Sequence, residues 1–235
     1  MSEAPPGAAG PPVGDGAAEA VPAVRAQLLA TEHWGLLAAR STAQSEVLTR
    51  IGMLLTLVSA GLVSLALVGQ ATRFRGDFPA FAVTVLALVT VVGVLTQIRV
   101  QNVALEDLMY VLAMNRMRAA YVDLDPGVAR YFLASQHDDQ AGVARTYYFL
   151  GRRSAFSQVA GSSMIFTMVV DGGLVGLLAA SIASASGGGM PIAVTTGGIV
   201  GFLYLALSVV MGGRSYFRIM RTYRPLNPTA PERLD

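Results

Sequence analysis

One acidic side chain, Asp171, stands inside the third of four long apolar stretches and is the only charged residue in any of them. A carboxylate at that depth costs about 2.5–3.5 kcal/mol on insertion scales, so it must be paired, wetted or neutralised. Each solution implies a different chemistry. Paired to Tyr204 or to backbone, Asp171 fixes helix packing. Wetted, it lines a pore or ion path. Neutralised, it is the proton- or cation-coupling acid of a transporter. Counting helical residues inward places Asp171 about 14 Å deep. Tyr204, Ser59 and Thr90 fall at nearly the same level, so these four residues form a candidate intramembrane polar layer. Helix phase decides whether they meet, and the sequence leaves the phase open.

No other set of residues promises chemistry as clearly. There are no cysteines, which removes disulfides, thiolate metal sites and thiol nucleophiles. All 17 basic residues are Arg, so a phosphate-cradling glycine loop ending in Lys cannot exist. The hydrolase pentad GxSxG is absent. The two histidines are His33, beside Trp34, and His137, followed by Asp138 and Asp139. Three consecutive loop residues converge poorly on one ion. No metal, no cofactor and no enzymatic activity are expected. A net charge of +2 is too small to imply a nucleic-acid partner.

The elements that must position the polar layer follow from hydropathy. Only 14% of the 235 residues are charged, against roughly 25% in soluble chains. A crossing helix needs about 20 apolar residues, and four segments qualify: 51–70, 78–98, 162–184 and 191–212. Arginines collect on cytoplasmic flanks. The 71–77 loop has only Arg73 and Arg75, the 185–190 loop has none, and the rest lie before span 1, between spans 2 and 3, or after span 4. Both termini should therefore be cytoplasmic, in a plasma membrane. Short outer turns make two antiparallel hairpins.

The fold class expected is all-α: an integral membrane protein with four transmembrane helices in two antiparallel hairpins plus cytoplasmic helical extensions. Residues 1–21, rich in Ala, Pro and Gly, and 225–235, with three prolines, read as disordered tails. Between them, 22–161 holds spans 1 and 2 with their extensions (99–161 following span 2), and 162–224 holds spans 3 and 4 with a basic juxtamembrane segment. Residues 23–50 and 99–122 should run as helices continuous with spans 1 and 2. In the first, Ala30, Trp34, Leu37 and Leu48 share a seam with Gln27, Ser41 and Gln44. These extensions pack on each other or build an oligomeric bundle. Asp125 suits the N-cap of a short helix starting at Pro126, and a third cytoplasmic helix is expected over 143–156.

Small residues at four-residue steps mark helix contacts in lipid. Span 1 has Gly52, Thr56, Ala60 and Ser64; span 3 has Gly172, Gly176 and Ala180; span 4 has Gly197 and Gly201. Contact within the hairpin of spans 3 and 4, or between subunits, would use them. Arg152, Arg153, Arg214, Arg218, Arg221 and Arg224 lie among aromatics and should snorkel to lipid headgroups, fixing depth or recognising an anionic lipid. The partners expected are the bilayer, anionic lipid and further copies of the chain. The leading functional reading is a self-associating channel or pore-like assembly with cytoplasmic helices that could gate it. The alternative is a membrane-embedded scaffold or accessory subunit docking a soluble partner, and the third is a small secondary transporter using Asp171.

Overall fold

The computed structural model describes residues 15–149, 151 and 161–230. These residues form helices α1 (Asp15–Thr72), α2 (Phe78–Leu124), α3 (Gln140–Tyr147), α4 (Ser163–Ala185) and α5 (Met190–Thr222), with a 3-10 helix at Pro126–Tyr131 after α2. There is no strand among the described residues. Four helices are long and apolar enough to cross a membrane: Pro22–Thr72, Phe78–Leu124, Ser163–Ala185 and Met190–Thr222.

The 51 residues from Pro22 to Thr72 extend about 76 Å at ~1.5 Å per residue. A hydrocarbon core of ~30 Å leaves more than half of that length outside. The helix runs unbroken, and its hydroxyls are absorbed locally. Thr42, Thr49, Thr56, Ser59 and Ser64 each donate to the carbonyl four residues back, which satisfies a polar group without leaving the helix. The chain reverses through Arg73 and Phe74, both left-handed at φ 51° and 60°. Phe74 donates its N–H to the Gly69 carbonyl at 2.8 Å. Its ring fills the space that a side chain at 69 would need, so glycine there permits the turn. Pro79 sits in the first turn of α2, where a missing N–H costs nothing.

Each long helix packs on the next: α1 on α2, α2 on α4, and α4 on α5. Near the first turn, Gly61 of α1 lies against Val85 and Val89 of α2. Farther along, Arg99 of α2 pairs with Glu46, and Asp107 pairs with Arg40. Between α4 and α5 the contact is backbone on backbone. A Cβ on Gly176 would stand 2.8 Å from the Gly197 carbonyl oxygen, and one on Gly201 would stand 2.6 Å from that of Gly172. Only glycine permits this approach.

Beyond the spans, the helix extensions form a layer with its own core. Ala43, Val47 and Ile51 of α1 bury against Val100 and Val103 of α2. Leu108, Val111, Leu112 and Met114 of α2 bury with Val143 of α3, covered by Leu36, Tyr216, Ile219 and Tyr223. The continuous extensions of spans 1 and 2 are as the sequence implies. The seam through Trp34, Leu37 and Leu48 is not the one that meets α2. It faces outward, with Trp34 71% and Leu48 63% exposed.

Three expectations need correction or trimming. α1 begins at Asp15, inside the stretch read as a tail; residues 1–14 lie outside the described residues. The third extension helix starts earlier than expected and ends sooner, at Gln140–Tyr147, with Asp139 capping the Gly142 N–H at 2.7 Å; residues 152–160, including Arg152 and Arg153, lie outside the described residues. Residues 225–230 are not loose. Asp138 and Asp139 hold them from Leu226 to Thr229; residues 231–235 are likewise outside.

Candidate functional site

Asp171 sits where three helices converge. Ser162 caps α4, its hydroxyl accepting from the Met164 N–H at 3.1 Å. That start sets the helix phase so that Thr167 and Asp171, four residues apart, share one buried face. Opposite them α2 presents Thr90, Gly93 and Gln97, spaced three and four residues apart and all buried. The Asp171 carboxyl lies directly over Gly93, whose missing side chain leaves it room. Asp171 has no exposed surface, and neither of its oxygens has a hydrogen-bond partner among the described residues. The Thr90 hydroxyl is orphaned in the same way, whereas Thr84 and Thr96 on the same helix donate to carbonyls four residues back.

α5 completes this region. Tyr204 donates its hydroxyl to Oε1 of Gln97 at 3.0 Å, and Nε2 of Gln97 donates to the Ser208 hydroxyl at 3.1 Å. Of the four residues expected in one layer, Asp171 and Thr90 are buried on α4 and α2, and Tyr204 is turned to Gln97. Ser59 is elsewhere: it is exposed on α1 and donates to its own Leu55 carbonyl. Gln97 escaped the sequence reading, and Ser208 was legible only as continuing the Gly197, Gly201 and Tyr204 face of span 4. Gln97 lies two turns from Thr90, so the signal was there, but a Gln at the end of a span reads equally well as an interfacial residue.

The small residues divide in two. Gly172, Gly176, Ala180, Gly197 and Gly201 meet across α4 and α5. Gly52, Thr56, Ala60 and Ser64 are all exposed on α1, and nothing lies within 4 Å of a Cβ built at Gly52. Arg214, Arg218, Arg221 and Arg224 are exposed along and just beyond the end of α5, and none enters an ion pair among the described residues.

A second concentration of charge lies in the extension layer. Asp107 accepts from Arg40 at 2.6 and 3.2 Å, from Gln44 at 3.0 Å and from the Tyr147 hydroxyl at 2.5 Å. Burial and this bond to Asp107 push the Tyr147 phenol up. Asp138, fully buried, accepts from Arg116 Nε at 2.5 Å, Tyr223 at 2.7 Å, and the N–H groups of Leu226 and Asn227 at 3.0 and 2.8 Å. Burial alone would raise its carboxyl, but these four donors outweigh it and hold it down at about 2. Tyr223 is pushed up to about 12, by burial and by its bond to Asp138. Both acids of the His137–Asp138–Asp139 run are thus committed to holding the segment after α5, and His137 Nδ1 is buried without a partner among the described residues. No group of three metal-ligating side chains occurs among the described residues.

These features define the class: an all-helical chain with four helices of membrane-spanning length and composition, a buried polar junction, and a charged extension layer. Compared with known proteins, the chain matches no family, no curated protein and no solved structure.

Proposed function

We propose that the chain is an integral membrane protein of two antiparallel hairpins, α1–α2 and α4–α5, with both termini in the cytoplasm. In this reading it is a membrane-embedded scaffold or accessory subunit that presents the outer face of α1 to a protein partner. The observation that carries it is Trp34, 71% exposed on a helix whose other side is fixed by Arg40–Asp107 and Glu46–Arg99. Trp34 is 17 residues before span 1, about 25 Å at ~1.5 Å per residue, too far for lipid to cover it. Val24, Leu28 and Leu37 extend the apolar exposure along the same helix. Exposed apolar surface of this kind marks an interaction site. Thr90, Gln97 and Asp171 are buried in contacts between helices, which favours packing over conduction.

One observation favours a second reading, the self-associating pore. Gly52, Thr56, Ser59 and Ser64 turn outward on α1, so copies meeting along that helix would bring small residues and hydroxyls to a shared axis. A single set of measurements separates the two. Photo-crosslinking residues placed at 28, 34 and 37 in intact cells should capture a protein, and the same label at buried Val47 should not. Purified protein in liposomes should pass no ions. Ion flux that depends on Thr56 and Ser59 would replace the scaffold with the pore; flux abolished by Asp171→Asn would favour a transporter instead.

A further inference from the structure

The α1–α2 pair and the α4–α5 pair diverge at one level of the molecule, and a cavity of about 730 Å³ opens between them. That size lies within the ~300–1,000 Å³ range of small-molecule sites. Its apolar lining comes from all four long helices, with Val47, Val103 and Met164 inside and exposed Val209 at the rim. Its other end is polar, bordered by Gln44, Asp107, Tyr147 and Ser162. Asp107, the one acid there among the described residues, is balanced by the Arg40 fork and also takes the Gln44 amide and the Tyr147 hydroxyl. The polar groups left beside the cavity among the described residues are the Ser162 and Ser163 hydroxyls and the positive first turn of α4. Arg214, exposed, directly follows the lining residue Gly213.

Depth identifies the ligand. Val47 comes just before span 1, Val103 just after span 2, Ser162 opens span 3, and Val209 closes span 4. With the helices in a bilayer, the cavity lies where hydrocarbon gives way to headgroups. We propose that it is a binding site for one membrane phospholipid, its acyl chain along the apolar wall and its phosphate at the Ser162–Ser163 turn. Exposed Leu48 and Val209 at the rim let an acyl chain enter sideways from the bilayer. The bound lipid bridges the two helix pairs beside the α2–α4 contact and the Gln97 bonds to Tyr204 and Ser208. The inference rests on membrane insertion and is independent of any partner at Trp34.

The test uses the full-length protein, extracted in mild detergent and examined by native mass spectrometry with added phosphatidylglycerol, phosphatidylcholine or diacylglycerol. Wild type should retain one phospholipid per chain and melt at a higher temperature with it. Val103→Trp fills the cavity and should lose the bound lipid, and Val209→Trp, at the exposed rim, gives the same readout should the first variant fail to fold. Leu203→Trp, exposed on α5 and not a lining residue, should retain it. Equal retention by wild type and both filled variants, or none by folded wild type, overturns the site. Diacylglycerol held as tightly as phospholipid overturns the phosphate assignment. A chain that stays soluble without detergent fails as a membrane protein, a result distinct from failure to hold lipid.

Discussion

Asp138 and Asp171 are both fully buried, yet the regions around them treat a carboxylate in opposite ways. Asp138 is surrounded by four donors drawn from α2 and the segment that follows α5. Asp171 has none among the described residues and rests on a glycine. A buried charge is tolerable when every lone pair is used, and costly when it is not. The extension layer uses its acid as a fastener, and the junction of α2, α4 and α5 accommodates its acid by space alone. Burial therefore says little about an acid's role; its donors say more.

The largest expected effect breaks the fastener. Asp138→Ala strands Arg116 and the N–H groups of Leu226 and Asn227, and should cost about 3–5 kcal/mol, as removing one partner of a buried charge cluster does. Thermal unfolding in detergent would read the loss, and protease should cut after Tyr223 first. The same contact predicts a pH window. The folded Asp138 titrates below its unfolded range, at about 2, so its contribution is complete above about pH 4 and is lost as pH falls toward 2. Tyr223 is raised to about 12, so its contribution holds below about pH 10 and is lost as pH climbs toward 12. Protease resistance of the 225–230 segment should thus be flat between these limits and fall outside both. Loss of resistance near neutral pH would contradict this pairing.

A smaller effect belongs to the helix contact beside Asp171. Gly176→Ala places a methyl 2.8 Å from the Gly197 carbonyl oxygen, and the backbone cannot yield as a flexible side chain would. Forced separation of α4 and α5 should cost about 1–3 kcal/mol, visible as a lower melting temperature. Gly52→Ala, with nothing within 4 Å, should leave the isolated chain unchanged. Equal effects at the two positions would mean that α1 also packs through its small-residue stripe.

Much of this architecture was legible in the sequence. Four apolar runs gave the four long helices, absence of proline over 23–50 and 99–122 gave their continuity, and Asp125 does accept from the Gly127 N–H. What remained hidden depends on helix phase and on distant partners. α1 carries two apolar seams; Ala43, Val47 and Ile51 meet α2 while Trp34 and Leu48 face out, and periodicity alone cannot choose between them. Ser59 and Thr90 share a depth and diverge in phase. The docking of Leu226 on Asp138 joins residues 88 apart in the chain, and a proline-rich composition gives no hint that its N–H groups will find a carboxylate.

A small effect should also come from Asp171 itself. Removing a partner from a satisfied buried carboxylate orphans its donors, but Asp171 has no donors among the described residues to orphan. Asp171→Asn keeps the volume over Gly93 and introduces no clash, so its stability should stay within about 1 kcal/mol of wild type. Asp138→Asn should cost several times more, because an amide cannot accept from four donors or balance Arg116. Measuring both in one detergent removes the shared error. A strongly destabilised Asp171→Asn would show that this carboxyl has a partner from outside the described residues, such as water, lipid or another copy. The contrast between the two acids would then be one of which molecule provides the donors.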